Sequence, residues 1–230
     1  MCINMNNEIV FFATTIIDIL FVYWAYRLGR GWLTGTIIVN LILISILGAK
    51  IVTVFGFITN IGNPLYACVF LAIQLFVERY GEEKSFKIIW SGVSLVIFFV
   101  LMSQLILRYE GLPQSAPINE AANSLFALVP RIMVASLLAY AVSQYANILV
   151  YCRIKEQINK KNLLWLSSVG ANVVGQFIDS CLFFTTAFFG ILPTATLVSV
   201  ILLGWMVKVL VGVLTIPFLY LAYLSKPVKA

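Results

Sequence analysis

The chain has 230 residues, 62% of them hydrophobic and only 10% charged, with a mean hydropathy of +1.02; that excludes a soluble domain and points to an all-α, polytopic membrane helix bundle, one integral membrane domain over residues 1–230 with the lipid bilayer as its solvent. The net charge of +6 comes from 15 Lys and Arg against 9 Asp and Glu, and most of the cations sit in short loops between apolar runs, so they read as topology determinants and no nucleic-acid partner is expected. Histidine is absent, which removes a Ser–His hydrolase, a histidine-based metal site and a histidine proton relay.

Seven apolar runs follow one another: Glu8–Tyr26, Leu33–Phe57, Pro64–Val77, Ser85–Leu107, Asn119–Tyr151, Leu163–Leu192 and Thr194–Leu224. Most approach the ~20 residues that cross a ~30 Å hydrocarbon core, so six to seven spans with short loops are expected. The N-terminal run lacks a basic lead and contains Asp18, which argues against a cleavable signal peptide. In the second run Asn40 and Lys50 lie within about 80° of each other on a helix. The third is short, and so is expected to be tilted, partly re-entrant, or continued through Gly81. Its face carries Phe70, Gln74 and Glu78. The fifth would be about 50 Å long as one helix. Pro130 is the natural break, giving a short outer helix near Asn119–Leu128 and a spanning helix with Arg131 in its first turn. That helix carries Ser136, Tyr140, Ser143 and Asn147 at helical spacing, with Gln144 beside them.

The sixth run holds the strongest signal. Asn172, Gln176 and Asp179 recur at spacings of four and three, with Phe183 one turn further, so all four share a face. A carboxylate in a span costs roughly 2.5–3.5 kcal/mol on insertion scales and needs a partner or a watery cavity. Interhelical hydrogen bonding is the structural alternative. The seventh run adds Lys208 beside Gly204, Trp205 and Gly212, ahead of Pro217. The echo Gln144-Tyr-Ala-Asn147 and Gln176-Phe-Ile-Asp179 lies on spans of opposite direction, so the two can face one cavity.

Loop charges give the orientation. Arg27, Arg30, Arg79, Lys84, Lys87, Arg153, Lys155, Lys160, Lys161, Lys226 and Lys229 fall on one side, and Arg108 alone on the other. A cell-membrane protein with the N-terminus outside and a cytoplasmic C-terminus is expected. The four cysteines have no metal-ligand spacing and read as apolar fillers, so neither metal nor cofactor is expected.

A cavity with a carboxylate, amides, a few cations and aromatic rings suits a planar, hydrogen-bonding, neutral or cationic small molecule. A carboxylate accepts two parallel N–H bonds from an edge like that of guanine. The candidate binding set is Asp179, Gln176, Asn172, Glu78, Gln144, Asn147, Arg131, Lys208, Asn40, Lys50, Phe183, Tyr140 and Trp205.

Glu78-Arg-Tyr-Gly81, Pro130-Arg131 followed by Ala135-Ser136 and Ala139-Tyr140, Ser143-Gln144, Gly175-Gln176-Phe-Ile-Asp179-Ser180 with Phe183 and Ala187-Phe188, and Lys208 ahead of Pro217 together resemble the queuosine-precursor transporter family, also called the vitamin uptake transporter family. The resemblance spans about Asn40 to Pro217. It implies uptake of 7-cyano- or 7-aminomethyl-7-deazaguanine for tRNA modification, and is compatible with a homodimer. The alternative it leaves open is a substrate-binding subunit of an energy-coupling-factor importer; the first run lacks the A-x-x-x-A docking motif such subunits usually carry. An intramembrane enzyme is disfavoured, since no G-x-S-x-G, C-x-x-C or histidine is present.

Overall fold

A computed structural model describes residues 5–48, 50–126, 130–158, 163–191 and 193–225, without the side chains of Met5, Phe57, Ile58 and 130–132. Its helices are α1 (Met5–Leu28), α2 (Arg30–Leu47), α3 (Gly62–Tyr80), α4 (Glu82–Ile106), α5 (Ala116–Phe126), α6 (Pro130–Ile158), α7 (Leu164–Phe188), α8 (Thr194–Leu214) and α9 (Ile216–Leu224). A hairpin of β1 (Ile51–Val54) and β2 (Phe57–Asn60) joins α2 to α3. The polytopic helical bundle read from composition is what the chain forms.

The bundle is turned inside out relative to a soluble protein. Trp90, Phe98 and Leu210 are exposed, whereas Gln74, Gln144, Asn147 and Gln176 are fully buried. Large apolar side chains face lipid, and the polar ones, which lipid cannot satisfy, collect inside. Five segments are long and apolar enough to cross a membrane: those of α1, α2, α4 and α6, and α8 with α9 taken together. At 19 and 25 residues, α3 and α7 have the length. They fall outside that set on composition, because they carry the polar residues of the interior.

The third apolar run, expected to be short, is a continuous helix, and the most enclosed of all. From Tyr66 to Val77 every residue of α3 is buried, and the helix packs against α1, α2, α4, α6, α8 and α9. It is the axis of the bundle.

Two of the expected runs are corrected. Helix α2 stops at Leu47, and what was read as its continuation to Phe57 is the antiparallel hairpin, in which Ile51 pairs with Asn60 and Val54 with Phe57. The β-branched stretch Ile51-Val-Thr-Val favours strand. Phe55 and Gly56, at φ 50° and 78°, make the two-residue turn with both residues left-handed. The Glu8 carboxylate accepts from the Phe55 N–H at 2.8 Å, and Asn7 Nδ2 donates to the Thr53 carbonyl, fixing the hairpin to the start of α1. The last run also breaks, at Thr215. Its hydroxyl donates to the Gly212 carbonyl at 2.6 Å, and Pro217 has no N–H to continue the ladder. The spanning helix opens at Pro130 as expected, and the outer helix is described over Ala116–Phe126; its expected end at Leu128 lies outside the described residues.

Helices α6 and α7 form the tightest seam. A Cβ on Gly175 would lie 2.7 Å from the Phe70 ring edge and 3.2 Å from the Ser143 carbonyl oxygen, so only glycine lets α7 come this close. Gly175→Ala should lower the melting temperature of the purified protein by the equivalent of roughly 1–3 kcal/mol. Gly35→Ala, whose new methyl meets nothing within 4 Å, should leave it level or slightly higher. Equal melting of the two variants would show that the seam has slack.

Candidate functional site

Two polar layers sit in the interior between α3, α6, α7 and α8. The first is ionic. Asp179 on α7 is buried, with Oδ2 2.5 Å from Lys208 Nζ on α8. Its Oδ1 accepts from the Tyr66 hydroxyl of α3 at 2.5 Å. Tyr66 also lies 3.2 Å from Ser143 Oγ on α6, and the Lys208 ammonium sits 5.0 Å from the Tyr66 ring centroid. Three helices therefore meet on one carboxylate, and α6 joins them through the Tyr66 hydroxyl. Both charges are shielded from water, so the pair is favourable only because the leftover lone pairs have donors.

The second layer is made of amides. Gln74 Nε2 faces Asn147 Oδ1 at 3.2 Å, Asn172 Oδ1 at 3.3 Å and the Ser168 carbonyl at 3.4 Å. Its Oε1 accepts from Ser168 Oγ at 2.6 Å. Asn147 Nδ2 in turn donates to Gln144 Oε1 at 3.1 Å. Gly212 allows α8 to reach this layer, since a Cβ there would stand 3.1 Å from Asn172 Nδ2.

Gln176 lies between the two layers along α7. It is fully buried, and neither its Oε1 nor its Nε2 has a partner among the described residues. Gln144 Nε2 is likewise unpartnered. A buried amide left unpaired costs on the order of 1–3 kcal/mol. Two donors and an acceptor are thus buried without partners among the described residues, on facing helices next to a charged group.

The shared face of Asn172, Gln176 and Asp179 is thus realised, and Lys208, Gln144 and Asn147 join it. Other candidates are placed elsewhere. Glu78 does not share in the Asp179 pair; it accepts from Lys155 Nζ at 2.5 Å and Tyr151 OH at 2.9 Å, one turn beyond the amide layer towards the end of α3. A neighbouring cation at the helix end outcompetes one across the bundle. Asn40 is taken by Asp18, donating to both its oxygens at 3.0 and 2.9 Å. Lys50 is exposed at the foot of the hairpin, because α2 ends before reaching it. The Tyr140 hydroxyl turns towards α4, 2.9 Å from where a Cβ on Gly92 would lie. Phe183 packs edge-on against Phe184 and Phe188 of its own helix. Trp205 Nε1 donates to the Val173 carbonyl, and its ring meets Phe177 on the flank of α7. The Arg131 side chain lies outside the described residues.

Tyr66 was missing from the candidate set and Gln74 was noted only as part of a polar face. Tyr66, Phe70 and Gln74 recur every four residues, which is the pattern that would have found both. The apolar run simply began two residues before Tyr66, where a tyrosine reads as an interfacial anchor.

Below the amide layer, at the helix ends that carry Lys155 and Glu156, lies a cavity of about 510 Å³ lined by Val77, Gly81, Cys152, Lys155, Leu164 and Ser167 among others. That volume falls in the range of small-molecule sites. Val77 follows Gln74 by three residues, and Ser167 adjoins Ser168, so the cavity lies about one helical turn from the amide layer. Among the described residues no three Cys, Asp or Glu side chains gather as a metal would require.

Residues 60–222 match the family model described as "Putative vitamin uptake transporter". The chain belongs to that family. It is 30% identical to the "Probable queuosine precursor transporter" of Bacillus subtilis (strain 168) over 94% of each chain. It is 29% identical to the "Queuosine precursor transporter" of Escherichia coli (strain K12), over 60% of this chain and 58% of that one. No solved structure matches at a significant level. Membership of this transporter family, with several apolar helices, makes the chain a multi-pass membrane protein.

The ionic layer generates its own test. Lys208→Ala leaves a buried carboxylate alone, and Asp179→Asn leaves a buried ammonium alone, each at roughly 3–5 kcal/mol. Both single variants should lose yield and melting temperature, while Asp179→Asn combined with Lys208→Met should recover most of the loss. Additive losses in the double variant would mean that the two charges are not each other's partner.

Proposed function

We propose that the chain imports queuosine precursors, 7-cyano-7-deazaguanine or 7-aminomethyl-7-deazaguanine, by binding them between the ionic and amide layers and exposing them to the two sides of the membrane in turn. The observation that carries this reading is Gln176, wholly buried with both polar atoms unspent, one turn from Asp179. A deazaguanine supplies what the amides lack and competes with Lys208 and Tyr66 for the carboxylate. Its N1–H and 2-amino group form a donor pair suited to the Asp179 carboxylate. Its carbonyl oxygen and N3 suit the amide donors of Gln176 and Gln144, and its pyrrole N–H suits the Gln176 Oε1. The ring of Tyr66, already beside the carboxylate, replaces Phe183 as the aromatic surface for the base. The relatives named above are queuosine precursor transporters, which agrees with this chemistry, and the family names favour transport over catalysis.

The binding site and its entrance are read together. The 510 Å³ cavity is the cytoplasmic vestibule, closed from the site by the Gln74 network. On this reading α3 and α7 cross the bilayer with the five more apolar segments, and residues 1–230 act as one domain. Contacts at the helix ends support the orientation. Tyr26 meets Ala222, and Arg79 reaches the Tyr26 carbonyl, at the end rich in cations. Asn7 and Glu8 meet the hairpin at the other end. The N-terminus is then outside and the C-terminus cytoplasmic.

Two measurements test the reading. Gln176→Met removes two unpaired buried groups at nearly constant shape, so melting temperature should rise. Affinity for 7-cyano-7-deazaguanine and its aminomethyl analogue, measured by thermal shift, should fall about ten- to a hundredfold through the lost hydrogen bonds. Unchanged affinity would take Gln176 out of the site, and no shift of the parent by either compound would overturn the substrate. Separately, a reporter at the C-terminus should score cytoplasmic and a tag between Arg108 and Ala121 should be labelled from outside; the reverse result would invert the orientation.

A further inference from the structure

Helix α3 carries carboxylate contacts on two opposite faces. On one, Tyr66 bonds Asp179, whose charge is matched by Lys208. On the other, Cys68 lies beside Asp18 of α1. Residues 66 and 68 are about 3 Å apart along the helix axis and about 200° apart around it. The two carboxylates therefore flank α3 at nearly the same depth.

Their surroundings differ in one respect. Asp18 is buried, and both of its oxygens share the single amide nitrogen of Asn40. From α2 it faces Asn40, with Thr36 one turn away spending its hydroxyl on the Trp32 carbonyl. From α3 it faces the Cys68 thiol. The contacts of α9 reach α1 at Tyr23 and Tyr26, and those of the hairpin at Asn7 and Glu8. Arg79 meets α1 at Tyr26, eight residues further on. Glu8 and Arg27, the other charged residues of α1, stand ten and nine positions away. Among the described residues no cation pairs with Asp18. One amide cannot offset a full negative charge in hydrocarbon. The site does not suit a metal ion either, which would need several more oxygen ligands than one carboxylate, whose two oxygens are already turned to an amide nitrogen.

We propose that Asp18 is a proton-binding site, and that α3 couples its charge to the ligand site on its opposite face, so that import of the precursor is driven by proton entry. The coupling rests on the function proposed above; the proton site itself does not. The carboxylate takes a proton from water on one side, forming an O–H bond, and releases it to water on the other. In the charged form it draws Asn40 and Cys68 towards it as donors. In the neutral form the carboxyl itself donates, and the hold of α1 and α2 on α3 relaxes. α3 then shifts Tyr66 relative to Asp179.

The proton site is tested without substrate by infrared difference titration of the purified protein. A carboxyl C=O band should appear as pH falls and be missing in Asp18→Asn. Asn40→Ala, which removes the donor but keeps the acid, should move that band to higher pH, and serves where Asp18→Asn fails to fold. No band assignable to Asp18 across the stable pH range would overturn the site. Coupling is tested in proteoliposomes with labelled 7-cyano-7-deazaguanine. The parent should accumulate it under an imposed pH gradient, acid outside. Asp18→Asn should bind it unchanged in thermal shift but only equilibrate it. Accumulation by Asp18→Asn equal to the parent, or accumulation that follows a sodium gradient and ignores pH, would overturn the coupling. Absence of binding by the parent would instead overturn the substrate, leaving the infrared result to decide Asp18.

Discussion

The energetic cost of holding the Asp179 charge away from water organises the interior. Even on lenient scales an aspartate in mid-span costs about 2.5–3.5 kcal/mol, so the fold has to bring a cation and a donor to it from separate helices. Lys208 and Tyr66 do this, and their reach sets how closely α8 and α3 approach α7. The glycines follow from that requirement. Gly175 lets α7 sit on α6 and Phe70, and Gly212 lets α8 sit on Asn172. Small residues at these crossings allow the van der Waals contact that drives helix association in lipid, where no hydrophobic force acts between helices.

The amides show the same economy, except at Gln176 and at the Nε2 of Gln144. Gln74 makes use of both its polar atoms, on three helices counting its own. Gln176, a short way along α7, uses neither. If holding the bundle together were the purpose of every interior amide, the two would be equally satisfied. The contrast separates a residue whose hydrogen bonds are internal from one whose partners, on the proposed function, arrive with the ligand.

The class of fold, the start of α6 at Pro130 and the shared face of Asn172, Gln176 and Asp179 were all legible in the sequence, because composition, proline and a 3.6-residue period are local properties. The partnerships were not. Asp18 and Asn40 find each other across α1 and α2, and Glu78 finds Lys155 across 77 residues; a pattern read along one helix says which face is polar, not which neighbour it meets. Lys50 was misplaced for a different reason. Ile51–Val54 is as apolar as a membrane helix, and its β-branched run together with the Phe-Gly turn is what signals that the chain reverses there. Tyr66 escaped notice because a tyrosine near the end of a span is commonplace at an interface, whereas here it is buried against an acid.

The hairpin between α2 and α3 has a mechanical consequence. It is fastened to the start of α1 through Glu8 and Asn7, so α1, α2 and α3 are laced together at that end. At the opposite end α1 is joined to α9 through Tyr26 and Ala222. Near the hairpin end α3 is tied to α6, α7 and α8 through the ionic layer, by Tyr66 with Ser143 and Asp179 and by Asp179 with Lys208. The trio is thus fastened like a door frame at the hairpin, and the glycine-tight pair α6–α7 is latched to that frame there by a single carboxylate.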